Sequence, residues 1–319
     1  MHSVGAFPDL TRTVLVVGGR GFVGTAVVRR LLAAGRRVHV LDTNARLALP
    51  SGATETLGSI LDKDALHTVL RLVRPDSVVN LAAFSDGDVG LTRSAEAQPD
   101  RTFAVNVEGF RHLLEACAEH HVRRLVWTSS TVVLGAATSL SERLDEEAPC
   151  APRVHYGLSK LLAEQIADYM SRREGMEIVG VRIPLMLGPG LWYQGAAGMV
   201  RQMTMDARDG RASTVRVSLQ PFDAMHVDDA GEACVRLLRA PLGLAPRYHV
   251  LGFTTDYAEI AEVLKRKVPG YRVTLTDTPA PIVYPLVSQA RFERDLGWRP
   301  GRTLDTTLAD MLAERSPAP

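Results

Sequence analysis

Short β-branched apolar runs alternate with helix-period patterns along the first half of the chain. Thr13–Val17 (TVLVV) is apolar throughout and reads as a buried strand. GGRGFVG follows, then a helical pattern over 22–34 that Gly35 stops. Further strands are predicted at 37–41 (RVHVL), 77–81 (SVVNL), 124–128 (RLVWT) and 177–182 (EIVGVR), with a weaker one at 54–57. Between them, Asp62 reads as the N-cap of a helix running to Val73, with Pro75 beyond it. A long helix is predicted over 100–120, and another carries Tyr156. Continuous apolar strands separated by helices predict an α/β fold with a Rossmann-type, doubly wound parallel sheet covered on both faces.

The pattern changes after Pro184. LMLGPGLWYQGAAG is rich in glycine and aromatics, and the stretch to Phe222 mixes helix with short strand. Residues 223–239 read as a turn plus helix, 248–251 as a strand, and 256–312 as a helix, an amphipathic strand (YRVTLTD) and further helices. We therefore expect a dinucleotide-binding domain from 1–184 and 223–253. A smaller, discontinuous α/β substrate-binding lobe takes 185–222 and 254–319.

Composition narrows the function classes. The 319 residues are 46% apolar and 23% charged, with a net charge of +1. That leaves no electrostatic footprint for nucleic acid or an acidic membrane surface. No apolar run reaches bilayer-spanning length, and the N-terminus lacks a basic and apolar leader pattern, so neither membrane insertion nor export is expected. Cys117, Cys150 and Cys234 are odd in number and widely spaced, fitting neither a disulfide framework nor a metal site. Cys117 and Cys234 fall on apolar helical stripes, and a reducing cytoplasm is the expected location.

Two patterns carry chemistry. Gly18, Gly21 and Gly24 follow the first strand and open the first helix, where glycine permits a tight turn and the helix N-terminus attracts pyrophosphate. Asp42 ends VHVLD, where a carboxylate binds ribose hydroxyls and disfavours a 2′-phosphate, so NAD is expected. Arg20 and Arg46 keep NADP as an alternative, since either guanidinium could reach that phosphate. Tyr156 and Lys160 stand four residues apart in HYGLSKLLAEQ, on one helical face. A fixed ammonium favours phenolate and makes tyrosine a better proton donor to a carbonyl oxygen. The chain has only four lysines among 37 basic residues, so a lysine here is a particular choice.

Taken together, these features resemble the extended short-chain dehydrogenase/reductases, the NAD-dependent epimerase/dehydratase family, over nearly the whole length. VVGGRGFVG resembles TGGxGFxG with Val17 where Thr is usual, and VVNLAA resembles the fourth-strand motif. NVEG resembles NVxGT, VWTSSTVVLG resembles VYxSSxxVYG, and YGLSK matches YGxSK. RIPLMLGPG, FDAMHVDDAGEA and LGWRP resemble later family motifs. The resemblance implies Ser130 as donor to the substrate oxygen, with Ser129 and Thr131 as neighbours able to share that role. It implies Tyr156 as acid/base, Lys160 at the nicotinamide ribose and Asn106 in a structural relay. It further implies cofactor contacts from Gly18, Gly21, Phe22, Val23, Gly24, Asp42, Ser59, Ile60, Leu81, Ala82, Ala83, Tyr156, Lys160 and Pro184. The helix near Asp100 and the one after Tyr156 resemble the helices that pair in family homodimers.

Departures from the motifs shape the expected substrate, a small molecule. Thr131 and Val132 replace the Asp-Glu pair of the dehydratases, so no extra acid serves water elimination. Leu185 and Phe222 stand where sugar-nucleotide enzymes place Asn and Arg for the diphosphate, which would be buried unpaired. The expectation is an NAD(P)-dependent ketoreductase or alcohol dehydrogenase acting on a partly apolar, non-nucleotide hydroxy or keto compound. The alternatives are an NAD-retaining epimerase on a sugar or sugar-nucleotide and a non-catalytic dinucleotide-binding protein. Met186, Leu191, Trp192, Tyr193, Met199 and Met203 are candidate pocket residues. No metal is expected: His226, Asp228 and Asp229 lack further ligands at suitable spacing. His155, preceding Tyr156, is a further candidate for the site, while His120 and His121 end a helix whose negative pole an imidazolium would complement.

Overall fold

The structure, a computed structural model, describes residues 12–43 and 47–314. Seven parallel strands form the main sheet: β1 (Thr13–Val17), β2 (Arg37–Asp42), β3 (Thr54–Leu57), β4 (Ser77–Asn80), β5 (Arg124–Ser130), β6 (Glu177–Ile183) and β10 (Arg247–His249). Their order is β10-β6-β5-β4-β1-β2-β3. The direction of winding therefore reverses between β1 and β4, and a crevice opens beyond their C-terminal ends. The predicted strands hold, each within two residues of its expected end. Every residue of β1, β4 and β5 is buried, which explains their unbroken apolar runs.

Helices cover both faces. On one, α1 (Phe22–Ala33) crosses α8 (Val227–Arg239) closely: a Cβ on Gly231 would sit 3.0 Å from the Ala26 backbone. On the other lie α2 (Lys63–Val73), α5 (Phe110–Glu119) and α6 (His155–Glu174). Asp62 caps α2 as expected, accepting from the Ala65 amide at 3.0 Å. The predicted 100–120 helix is broken into parts. It starts as α4 (Pro99–Phe103), loosens into a π-helical turn over Ala104–Gly109, and resumes as α5. A short α3 (Leu91–Ala97) precedes it unannounced, because LTRSAEA has too little apolar periodicity to read as a helix.

Two smaller sheets complete the fold. In one, β9 (Phe222–His226) lies between β7 (Leu185–Leu187), parallel to it, and β11 (Phe253–Thr255), antiparallel. In the other, β8 (Ser213–Val217) runs parallel to β12 (Val273–Asp277). Around them pack α7 (Ala196–Arg208), α9 (Tyr257–Lys267), α10 (Ala290–Leu296) and α11 (Leu304–Ala313). Met186, Leu191 and Met203 are buried in this core, and Trp192, Tyr193 and Met199 are partly buried against it.

At the start of β5, the fully buried Arg124 donates to the carbonyls of Leu237, Leu238, Ala240 and Pro241 and pairs with Glu177. A guanidinium is thus spent on the C-terminal carbonyls of α8, which have no partner within their own helix.

Candidate active site

The glycine loop fits tightly against both neighbouring strands. Gly18 has φ +77°, and a Cβ there would lie 2.8 Å from the Ala82 amide nitrogen, so Leu81 and Ala82 at the end of β4 press on the loop. A Cβ on Gly24 would lie 2.1 Å from the Gly18 carbonyl oxygen. These close approaches leave the α1 N-terminus open toward the crevice. Phe22 is buried and Val23 partly so at the first turn of α1.

Asp42 sits beside this loop and accepts from the Arg20 amide at 2.9 Å. The Arg20 guanidinium turns away to Glu55, at 2.8 Å, and to the Leu47 carbonyl. Two carboxylates therefore flank Arg20, an arrangement that suits ribose hydroxyls better than a 2′-phosphate. Arg46 lies outside the described residues. Ser59 spends its hydroxyl on the Leu61 amide, while Ile60 packs on Gly109, whose Cβ would meet Ile60 Cγ1 at 2.7 Å. Ala83 follows β4, and Pro184 is the single residue between β6 and β7.

Across the crevice, Ser130 ends β5 and caps a 3-10 turn over Thr131–Leu134. Ser129 is not equivalent: its hydroxyl donates to Glu164 at 2.7 Å. Tyr156 and Lys160 occupy the inward face of α6, both buried, with Lys160 Nζ 5.9 Å from the Tyr156 ring centroid. Lys160 donates to the Thr128 carbonyl at 2.9 Å. Burial pushes the Tyr156 phenol well above its usual range, and the facing Ser130 hydroxyl works in the opposite direction. Burial also pulls Lys160 down to about 8, with the Glu164 carboxylate opposing it. The expected sharpening of the phenol is thus outweighed by desolvation. The Tyr156 phenol therefore keeps its proton at neutral pH, with the Lys160 amine nearby.

The π-helical turn places Asn106 between two supports. Its Oδ1 accepts from the Phe84 amide at 2.8 Å, and its amide donates to Ser159 Oγ at 3.0 Å. Ser159 in turn donates to the Tyr156 carbonyl at 2.8 Å. Asn106 thereby ties the segment after β4 to the helix bearing Tyr156. Such local loosening of a helix often re-aims a functional side chain.

Residues 191–195 lie over the same region. Tyr193 and Trp192 meet the Phe22 ring edge-on at 5.8 and 6.3 Å, and the Gln194 amide donates to the Asp88 carbonyl at 2.6 Å. His155 lies at the rim, bonded to Glu96 and edge-on to Phe103. The cation expected at His120 is disfavoured by burial and by neighbouring His67 and Arg71. His226 caps α8 through Nδ1, Asp229 pairs with Arg302, and no metal-holding cluster occurs among the described residues. No helix among them is long and apolar enough to cross a membrane.

A family model described as the NAD dependent epimerase/dehydratase family matches residues 14–252. The chain belongs to this family. It is 30% identical over 311 residues to a UDP-glucose 4-epimerase of Streptomyces lividans, spanning 90% of this chain and 91% of the relative. A Thermus thermophilus UDP-glucose 4-epimerase solved with NAD superposes with a TM-score of 0.80 at 26% identity, covering 94% of this chain and 99% of that one. A GalE-like L-threonine dehydrogenase from Cupriavidus necator, at 22% identity and covering 94% and 99%, gives 0.83 and shares the fold. The family enzymes use NAD, and the glycine cradle and the Asp42–Glu55 carboxylates suit that dinucleotide.

Two residues with a part in the site were not singled out from the sequence. Ser159 lies inside YGLSK but carries no family role in the motif. Glu164 follows Lys160 by four residues, and this spacing on the Tyr156 face was the available signal.

Proposed function

We propose that this enzyme interconverts a hydroxyl and a keto group on a partly apolar, non-nucleotide substrate. The convergence of Ser130, Tyr156 and Lys160 beside the glycine loop carries the reading. NAD, when bound, accepts or returns hydride at its nicotinamide ring. Tyr156 moves the proton at the substrate oxygen, and Ser130 donates a hydrogen bond to that oxygen. Lys160 holds the nicotinamide ribose, and Asp42 accepts from the adenosine ribose hydroxyls. Residues 1–184 and 223–253 hold the dinucleotide, while 185–222 and 254–319 hold the substrate.

The substrate class follows from Leu185 and Phe222. They open the adjacent strands β7 and β9, and the Phe222 ring lies 5.4 Å from Tyr257. Neither side chain can pair a diphosphate. The test is NADH consumption against a panel of carbonyl compounds, with Tyr156→Phe as control. Absence of turnover across ketones, with turnover of a sugar-nucleotide, overturns the reading.

The Streptomyces lividans relative favours a second reading, an epimerase that keeps its NAD through the cycle. Substrate inversion without net use of added cofactor, with NAD retained through purification, selects it. The enzyme works in the cytoplasm, where its three free thiols stay reduced. It pairs as a homodimer through α5 and α6, because Leu158, Leu162 and Tyr169 form an exposed apolar stripe along α6. Light scattering on the wild type and on Leu162→Arg tests this: a wild type that is monomeric at micromolar concentration refutes it.

A further inference from the structure

We propose that Glu164 is a positioning residue for the reaction: it clamps the Ser129–Ser130 end of β5 to α6 and keeps a negative charge one turn from the Lys160 ammonium. The proposal rests on the roles given above to Ser130, Tyr156 and Lys160. Three observations carry it. The Glu164 side chain is 2% exposed, so its charge acts with little solvent screening. Its Oε1 accepts from Ser129 Oγ at 2.7 Å, which fixes the peptide adjoining Ser130. Arg182, on β6, holds the carboxylate in a two-pronged grip, Nε to Oε1 at 2.8 Å and Nη2 to Oε2 at 2.7 Å. A bidentate pair of this kind sets orientation as well as charge.

Three elements meet at this one carboxylate. Helix α6 brings Tyr156 and Lys160, β5 brings Ser129 and Ser130, and β6 brings Arg182. The Ser129–Glu164 bond joins α6 to β5 beside the Lys160 bond to the Thr128 carbonyl, and together they set the spacing of Ser130 from Tyr156. The other groups facing Glu164 are Arg247 from β10, whose Nε is 3.8 Å away, and, through Arg182, His249 at 3.3 Å and Cys150 at 3.2 Å. Arg247 also pairs with Asp168, one turn further along α6. Facing Lys160 are Tyr156 and Glu164 of its own helix and the Trp127 ring. Glu164 is the carboxylate that supports the ammonium, against a desolvation that opposes it.

The chain's four lysines make a direct test practical. Protein labelled with carbon-13 at lysine Cε is titrated by NMR, with Lys160→Arg assigning the signal. Glu164→Gln is expected to move the Lys160 midpoint to lower pH, at least about threefold in its ionisation ratio. If that variant does not fold with Arg182 left unpaired, Ser129→Ala carries the test alone. Ser129→Ala keeps the Glu164–Arg182 pair and breaks only the clamp. With a panel compound that the wild type reduces, it should lower kcat roughly tenfold with KM within twofold. A Lys160 midpoint that stays put or rises without Glu164 overturns the proposal, as does full kcat in Ser129→Ala. The NMR arm needs no substrate. A Tyr156→Phe variant with full turnover would instead sink the reading of the reaction, with the Lys160 titration unaffected.

Discussion

Lys160→Met should make the protein more stable relative to the wild type at neutral pH than at pH 10. Burial lowers the lysine from its ordinary 10.5 to about 8. At about 1.4 kcal/mol per pH unit, holding the ammonium inside the fold costs about 3 kcal/mol. The folded value lies below the unfolded one, so the cost is fully present below pH 8. It fades as pH rises and is gone above 10.5. Between pH 7.5 and 10 the wild type should therefore gain roughly 2 kcal/mol on the methionine variant. Loss of the Thr128 carbonyl's donor adds about 1–3 kcal/mol against the variant, but at every pH alike, so it does not alter the slope. Urea unfolding of the cofactor-free proteins, followed by circular dichroism at half-unit intervals, measures the difference. Parallel stability profiles for the two proteins would refute the reasoning, because a Lys160 that titrates in the fold as it does in the unfolded chain gives no differential slope.

Other outcomes follow from single contacts. Gly24→Ala places a methyl 2.1 Å from the Gly18 carbonyl and should weaken NAD binding at least about tenfold by calorimetry. Gly35→Ala, with φ +73° but open space around it, should cost only about 1 kcal/mol of stability and leave NAD binding unchanged. Asn106→Ala leaves the Phe84 amide without its acceptor and should lower stability by about 2 kcal/mol in denaturant titration, with a fall in turnover. Glu55→Gln removes the negative charge beside the Arg20 guanidinium and should raise the NADP-to-NAD preference about threefold in paired binding measurements.

The parallel sheet was legible because its inner strands β1, β4 and β5 are buried on both faces and leave apolar runs in the chain. The glycine loop and the Tyr156–Lys160 pair were legible because each depends on a short local spacing. What escaped depends on long-range partners. The π-helical turn at Asn106 has no period of its own in NVEG; it exists because Phe84 and Ser159 hold the side chain from two sides. β9 read as a turn because its five residues become a strand only between β7 and β11. The motif around TSST favoured Ser130 over Ser129, but the Glu164 carboxylate that takes the Ser129 hydroxyl lies 35 residues away and could not be read from it. The Tyr156 phenol was expected to be lowered by its lysine, since spacing reveals a neighbour's charge but not the depth of burial.

The buried Arg124 has a consequence for how this polypeptide can be made or divided. The four carbonyls that satisfy it come from residues 237 to 241, more than a hundred positions downstream. A fragment truncated near 184 would carry that guanidinium at the base of β5 with Glu177 alone to answer it, a deficit of about 3–5 kcal/mol. The amino-terminal half is therefore not an excisable module. On the ribosome, its strands remain provisional until the segment around Pro241 has emerged from the exit tunnel.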